Sequence, residues 1–369
     1  MYIATAIYIP FLNLYYRQNG ITSTQIGILG MLACVASLFV QPIWAKLVDD
    51  TGKAKTFGIV IVLGAALALQ TYYVGHSFGS FFLAASLLAI FSTAIIPLTD
   101  TILIRNAARY GHNFSQIRLG GTLGYAVAVV LFGIYLKGRP ERSFFLAGLA
   151  YVLMALFLLF LPKHENELPI AVSEGRQQFR VREIYQDNTI LILLLLAFFF
   201  QFGASFYNGF ITFFAAEKGL GESGVGLLQG ISALSEVPIL LGYKFLPKKY
   251  RNLRLLAVVT ILMGMRLLIA SSGLLPLFLV SQALNGPSGM VFYLVCMDFI
   301  YSHVKPGKET EGQSVLYIVQ AGAASILGNL LGGRAIDLFG IGQTFAMLGT
   351  VVAILAAVTY LVLKQKRIT

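Results

Sequence analysis

Twelve apolar stretches, each about long enough to cross a lipid bilayer, occupy almost the whole chain of 369 residues. The hydrocarbon core of a bilayer is about 30 Å thick, and a helix needs roughly 20 residues to cross it. The sequence therefore predicts an all-α membrane protein with transmembrane helices near residues 1–17, 22–46, 56–75, 79–104, 114–137, 143–162, 188–215, 223–246, 253–273, 275–302, 310–333 and 341–363.

Composition and the distribution of charge also indicate a membrane protein. The chain is 57% hydrophobic and 12% charged, with a mean hydropathy of +0.78, whereas soluble domains are about 25% charged. If the N-terminus is cytoplasmic, six of the 27 Lys and Arg residues lie in outer loops, two lie inside spans and the other 19 lie in inner loops and the tail. This bias follows the positive-inside rule. We therefore expect both termini in the cytoplasm, a cell-membrane location, contact with lipid and no nucleic-acid partner.

The cysteines and the first span restrict the remaining possibilities. Cys34 and Cys296 lie in apolar spans of opposite halves, so neither a disulfide framework nor a thiolate metal site is expected. The first span lacks a basic leader and a small-residue cleavage site, so it is not typical of a signal peptide. It is short and begins abruptly at Met1, and we expect a first helix truncated on its cytoplasmic side.

The chain divides near its middle into two sets of six spans. Residues 163–187 are polar and charged, and they read as a cytoplasmic linker between an N-terminal bundle (1–162) and a C-terminal bundle (188–369). Residues 10–27 also align faintly and without gaps with residues 209–226. A duplication of six spans predicts two pseudo-symmetric helix bundles with a site at the midplane between them. Transporters in which the two bundles rotate against each other are built in this way.

The loop after the second span resembles the cytoplasmic loop motif of the major facilitator superfamily, Gly-x-x-x-Asp followed by Gly and basic residues. Ala45 stands at the first glycine of that motif. The acid, the turn glycine and the basic positions are Asp49, Gly52, Lys53 and Lys55. The resemblance implies the twelve-helix major facilitator fold and an acid that pairs with neighbouring helix ends in one conformer. An ordinary positive-inside loop with two stray aspartates is the alternative.

The start of the fifth span resembles the lactose-permease, nucleoside–proton-symporter and phenylpropionate-transporter-like branch of this superfamily. There an Arg is followed by two glycines and an aromatic ring, here Arg118 and Tyr125. The resemblance implies that Arg118, Tyr125 and Asp100 bind solute. Tyr125 replaces the indole that stacks on sugar in lactose permease, and Asn285 stands where this branch often carries a His. Glu236 in the eighth span looks like an acid-bearing motif of the same group.

Charged residues inside the spans predict two acid–base pairs. A charge at the bilayer centre costs about 2.5–3.5 kcal/mol, so a charge that persists there normally faces inward and is paired. Glu236 and Arg266 lie equally far from the loop between spans eight and nine, and Asp100 and Arg118 lie equally far from the loop between spans four and five. Antiparallel neighbours spaced in this way share a depth. We predict that the arginines bind solute, because a guanidinium grips carboxylates or hydroxyls, and that the carboxylates carry protons. A static salt bridge is the alternative for each pair.

Uncharged polar groups inside the spans add further candidates. Gln282 and Asn285 lie early in the tenth span beside Gly286-Pro287, where we expect the helix to unwind. We predict that both, and Asn208, bind solute. For the other polar groups we expect a hydrogen bond to a neighbouring helix as readily as contact with a ligand. These are Asn13, Gln201, Tyr207, Gln320 and Asn329. Most Phe and Tyr side chains are expected to face lipid or the interface.

The sequence as a whole predicts a secondary active transporter. It moves a small polar solute (a sugar, a nucleoside or an aromatic acid) by alternating access, in symport with protons, as a monomer that needs no cofactor besides the proton gradient. A proton-coupled exporter or antiporter of the same fold and a non-transporting solute receptor are the alternatives. The sequence contains no repeated loop of the kind that forms a selectivity filter, so it does not favour a channel. An enzyme is not expected, because the four His residues lie in loops or at span ends.

Overall fold

The computed structural model describes residues 1–109, 114–160, 188–247, 252–303 and 309–365. The described residues form twelve helices. They are α1 (Tyr2–Gln18), α2 (Ser23–Phe39 and Gln41–Thr51), α3 (Ala54–Tyr73), α4 (Phe78–Ser92 and Ile95–Arg109), α5 (Phe114–Tyr135), α6 (Arg142–Phe160), α7 (Asn188–Glu217), α8 (Glu222–Gly242), α9 (Leu253–Ser271), α10 (Leu275–His303), α11 (Glu309–Tyr317, Ile318–Ala324 and Ser325–Phe339) and α12 (Ile341–Gln365).

These helices match the predicted spans closely. Among the described residues, eleven of the twelve helices are long and apolar enough to cross a membrane. The twelfth, α1, has 17 residues. The predicted all-α membrane fold is confirmed.

Local side-chain chemistry sets several helix ends. Thr22 accepts a hydrogen bond from the backbone N–H of Gln25 and the Gln25 side chain accepts one from Thr22, which forms a capping box at the start of α2. The Asn252 side chain caps α9 in a similar way. Gly52 ends α2 with a φ of 67°, a left-handed conformation that glycine adopts without strain. Caps of this kind satisfy backbone groups that have no partner within the helix.

One compact unit comprises Met1–Gly175 together with Leu220–Gly230. The start of α8 therefore packs with the first six helices. The backbones of α5 and α8 come very close there, because a Cβ added to Gly226 would lie 2.5 Å from the carbonyl oxygen of Val129. Glu222 accepts a hydrogen bond from the backbone N–H of Gly138 at 3.0 Å and is itself buried. The predicted linker, 163–187, lies outside the described residues.

A cluster of buried aromatic rings joins α1, α3, α4 and α6 in this unit. The Tyr16 and Tyr72 hydroxyls are 2.8 Å apart, and the rings of Tyr72 and Phe144 stack with centroids 4.6 Å apart. Tyr15 and Phe81 complete the cluster. The expectation that aromatic side chains mostly face lipid is wrong for these rings, because stacked and edge-on aromatic pairs stabilise a helix interface in their own right.

The second compact unit comprises Arg176–Gly219 and Ile231–Thr369. Its α9 and α12 approach closely through glycines: a Cβ on Gly264 would lie 2.7 Å from the backbone nitrogen of Ala353, and one on Gly349 would lie 2.9 Å from the carbonyl oxygen of Gly264. Small residues permit such contacts in lipid, where helix association depends on close packing. This tight frame supports the polar groups described next.

Candidate functional site

Arg266 of α9 is fully enclosed within the second unit, with only 2% of its surface exposed. Its Nε donates a hydrogen bond to the carbonyl oxygen of Ser281 at 2.9 Å, and Nη1 donates to Ser288 Oγ at 3.1 Å. The Tyr207 ring lies 4.5 Å from the guanidinium carbon, which is cation–π geometry. Two turns of α10 and one ring of α7 thus hold the guanidinium in a fixed orientation.

One part of the guanidinium is left unsatisfied. Nη2 of Arg266 is buried and has no hydrogen-bond partner among the described residues. The same holds for Nε2 of Gln282, a side chain with only 2% of its surface exposed. A buried donor without a partner costs about 1–3 kcal/mol, and more when it is charged. An unsatisfied charged donor of this kind is a strong indication of a ligand position.

A cavity of about 200 Å³ lies beside Arg266 within the same unit. Four amide side chains and three aromatic rings form most of its wall. Its lining residues besides Arg266 are Phe200, Gln201, Ala204, Asn208, Asn285, Gly289, Phe292, Tyr293 and Gln320. The Phe200 and Phe292 rings stack at 3.8 Å between centroids. The cavity therefore combines hydrogen-bonding amides with aromatic side chains in its wall.

Wider helical turns place two of these residues. Residues Gly286–Met290 of α10 and Ile318–Ala324 of α11 form π-helical segments. Such segments shift the register of side chains and are frequent at functional sites. Gly289 and Gln320 reach the cavity from them. The expected unwinding of α10 at Gly286 is wrong, because the helix continues through this point as a π-helix.

Glu236 of α8 contacts Asn285 and not Arg266. Its Oε1 accepts a hydrogen bond from Asn285 Nδ2 at 2.9 Å, while Arg266 has no ion pair with a carboxylate among the described residues. The charge of Glu236 still acts on Arg266 electrostatically. The predicted direct pair is therefore wrong, because equal depth does not make α8 and α9 neighbours, and both side chains instead meet α10. Asn285 connects the carboxylate to the cavity.

The pair predicted in the first unit is present. Arg118 Nη1 lies 3.4 Å from Asp100 Oδ2, and the two side chains are 50% and 18% exposed. They line a large, mainly apolar groove of about 720 Å³ together with Tyr2 and Gly121. Tyr125 does not line this groove; its ring packs against the core cluster around Phe11. The structure thus brings Asp100 and Arg118 together and leaves Tyr125 apart from them.

The predicted solute-binding residues therefore divide into three groups. Arg266, Asn285 and Asn208 line one cavity. Gln282 is buried near it without lining it. Arg118 lies in the other unit.

The sequence did not identify the rings of Phe200, Phe292 and Tyr293 as part of a site, because nothing separates them from the many other aromatic residues. Gln201 and Gln320 are polar residues inside predicted spans, and this is the sequence feature that points to them.

The comparisons with known proteins agree with this architecture. Residues 1–347 match the sequence model of the MFS_1 like family. The chain belongs to this family. Its predicted membership of the major facilitator superfamily is thereby confirmed.

Relatives of this MFS_1 like protein include transporters. The uncharacterized transporter YwbF of Bacillus subtilis (strain 168) is 28% identical over 242 residues, which cover 65% of this chain and 59% of that protein. The match thus spans less than two thirds of the Bacillus protein. The maltose permease of Geobacillus stearothermophilus is 27% identical over 270 residues, covering 72% of this chain and 67% of the permease. A crystal structure of the nucleoside transporter NupG has the same fold, with a TM-score of 0.80 at 17% identity over 97% of this chain and 95% of that one.

The loop motif of this MFS_1 like chain has a defined local structure. Lys55 Nζ donates a hydrogen bond to the carbonyl oxygen of Leu159 at 2.8 Å, at the end of α6. A cation placed there stabilises the negative end of the helix. Asp49 lies on a groove of about 190 Å³ in the first unit, and Lys53 is exposed. The role of Asp49 in a conformational change stays a prediction.

Removing the Tyr207 hydroxyl is expected to weaken the second unit modestly. This hydroxyl lies 2.6 Å from Ser281 Oγ in the buried interior, and the carbonyl oxygen of Ser281 in turn accepts from Arg266. Tyr207→Phe keeps the ring over the guanidinium and loses this hydrogen bond, so we expect a loss of about 1 kcal/mol in the free energy of unfolding. Thermal unfolding of the purified protein in detergent measures this. An unchanged melting temperature would show that the hydroxyl is dispensable.

Proposed function

We propose that this protein is a secondary active transporter of the cell membrane that takes up a small polar solute with protons by alternating access. The observation that carries the proposal is the enclosed Arg266 beside an amide-lined cavity, inside helices that are otherwise apolar. Intramembrane charges of this kind mark solute and ion pathways. Membership of the MFS_1 like family, and relatives described as transporters, support transport as the activity.

The cavity chemistry favours a solute rich in hydrogen-bonding groups. Asparagine and glutamine side chains both donate and accept hydrogen bonds, so they bind hydroxyls in either orientation. The exposed ring of Tyr293 in the cavity wall offers a surface against which a sugar or a base can pack. Relatives named for maltose and structural neighbours named for nucleosides are consistent with such solutes. Arg266, Asn285 and Asn208 are the proposed contacts.

The contact between Glu236 and Asn285 suggests how a proton is coupled to solute binding. An ionised Glu236 accepts the Asn285 amide N–H. A protonated carboxyl can donate instead, which favours an amide turned to offer its oxygen. Asn285 also lines the cavity, so its orientation changes what the cavity presents to the solute. Glu236 is thus the proposed proton-binding group, and Asp100 beside Arg118 is the second candidate.

Transport of the wild-type protein with an imposed pH gradient tests the proposal. A thermal-shift screen of sugars, nucleosides and aromatic acids first identifies a solute, because a bound ligand raises the melting temperature by mass action. Proteoliposomes with an inward proton gradient are then expected to accumulate that solute above its external concentration. Accumulation that ignores the gradient contradicts proton symport.

Export is the second candidate function. The multidrug resistance protein MdtG of Salmonella dublin is 22% identical over 282 residues, and its name favours outward transport. The two directions of coupling give opposite signals. Addition of solute raises the pH outside if the protein is a symporter and lowers it if the protein is an antiporter. A solute that binds without moving in either assay indicates a receptor.

A further inference from the structure

The guanidinium nitrogen of Arg266 that has no hydrogen-bond partner among the described residues indicates the chemical class of the solute. Nε and Nη1 of Arg266 both donate to α10, and Nη2 is the nitrogen of this group that has no partner among the described residues. Hydrogen bonds with an ionised donor or acceptor are about twice as strong as neutral ones, and a carboxylate adds the attraction of opposite charges to the bond with a guanidinium. An anionic oxygen is therefore the acceptor that this position favours most.

The described residues place no anionic oxygen within ion-pair distance of Arg266. Within the described residues Arg266 forms no ion pair, and Glu236 is occupied by Asn285. Glu236 acts on the positive charge of Arg266 electrostatically and forms no ion pair with it. Removing one partner from a buried ion pair is costly because it leaves a charge without compensation. A ligand carboxylate supplies the missing partner.

The amides around the cavity define the rest of the ligand. The Gln201 Nε2 donates to Ser325 Oγ at 3.0 Å, and the Asn285 Nδ2 donates to Glu236, so the amide oxygen of each remains as an acceptor. The side-chain amides of Asn208 and Gln320 make no hydrogen bond within the described part of the chain. Hydroxyl groups match this set, because each can donate to an amide oxygen and accept from an amide N–H.

The size of the cavity limits the ligand to a small molecule. Its volume of about 200 Å³ is below the roughly 300–1,000 Å³ of pockets that hold drug-sized ligands. The volume of a single sugar ring is of the right order, and its C–H face suits the exposed ring of Tyr293 in the wall. An aromatic carboxylate uses the rings and the arginine but leaves the amides without partners.

We propose that this cavity binds a sugar acid, with its carboxylate on Nη2 of Arg266 and its hydroxyls on the amides of Gln201, Asn285 and Gln320. The inference rests on the proposed transport function, for which it names the class of solute. It assigns charge recognition to the second unit and requires no contribution from Arg118.

Pairs of sugars that differ only at one carbon test this inference. Titration calorimetry of purified wild-type protein compares galacturonate with galactose and glucuronate with glucose. We expect each acid to bind at least tenfold more tightly than its neutral partner. Equal affinities, tighter binding of the neutral sugars, no binding of either acid, or tighter binding of benzoate than of both acids would each overturn the proposal.

Two variants separate charge recognition from a general loss of structure. Arg266→Lys keeps the positive charge and loses the planar fork, so the preference for the acid is expected to fall at least tenfold. Gln320→Ala removes a side chain that makes no hydrogen bond among the described residues, so the variant is expected to fold normally and to bind galacturonate about threefold to tenfold more weakly. If Arg266→Lys does not fold, Gln320→Ala still decides whether the amides bind the hydroxyls, and unchanged affinity in that variant contradicts the assignment.

The outcome for transport is read independently. If neutral sugars or nucleosides are bound and accumulated and sugar acids are not, the proposed function stands and the sugar-acid inference is wrong. If galacturonate binds with the expected preference and proteoliposomes do not take it up, the cavity assignment stands and transport is wrong.

Discussion

Replacing Gly286 by alanine is expected to lower the melting temperature of the protein strongly. Gly286 lies in the π-helical segment of α10, and a Cβ added there would overlap the carbonyl oxygen of Ser235 in α8. The obstacle is backbone, which does not move aside as a side chain does. Overpacking of an interior costs about 1–3 kcal/mol, and more when neither partner relaxes. Thermal unfolding of the purified variant in detergent measures the loss.

The same substitution is expected to disturb the site. The Gly286 backbone N–H donates to Ser235 Oγ at 2.8 Å, and the neighbouring Asn285 bonds Glu236. Moving α10 away from α8 therefore breaks both contacts together. Gly289→Ala is the matched control on the same segment, because its Cβ would meet only the Asn285 side-chain oxygen at 3.4 Å, an ordinary contact. Equal melting temperatures for the two variants would show that α8 and α10 do not meet as tightly as described.

The fold follows from the sequence because the bilayer imposes a simple rule on it. Twelve apolar stretches of suitable length specify twelve helices, and positions such as Gly52 and Thr22 end or begin them through local chemistry that is readable in advance. The packing partners are harder to predict. The first turns of α8 pack with α5 through Gly226 and Val129, and nothing in the local sequence of α8 indicates which helix it meets.

The sequence predicts which charged residues belong to the site better than it predicts which residues they contact. An Arg and a Glu inside apolar spans are costly, so each was expected to have a role. Their depth was inferred from distance to a loop, and depth places Asp100 beside Arg118 correctly. The same argument fails for Glu236 and Arg266, because α10 supplies the partners of both. In α10, Pro287 predicts a break as readily as the π-helical turn that places Gly289, and the π-helical turn that places Gln320 has no proline to indicate it.

Replacing Glu236 by glutamine is expected to abolish accumulation driven by the proton gradient while leaving exchange of the solute intact. Glutamine has the shape of a protonated glutamate and can still accept from Asn285, but it does not bind and release a proton. A gradient of one pH unit with one proton per solute supplies about 1.4 kcal/mol, or about tenfold accumulation. We expect the variant to reach only the external concentration, measured with labelled solute in proteoliposomes with and without the gradient.

Glu222→Gln provides the matched control on the same helix. Glu222 is buried and accepts a hydrogen bond from the backbone N–H of Gly138, a contact that the glutamine oxygen can also make. This variant is expected to accumulate solute like the wild type, because Glu222 belongs to the first unit and does not line the cavity. Counterflow exchange in the Glu236→Gln variant shows that its solute site still works. Undiminished accumulation by Glu236→Gln would remove Glu236 from the coupling mechanism, whereas equal loss in both variants would assign the effect to protein stability.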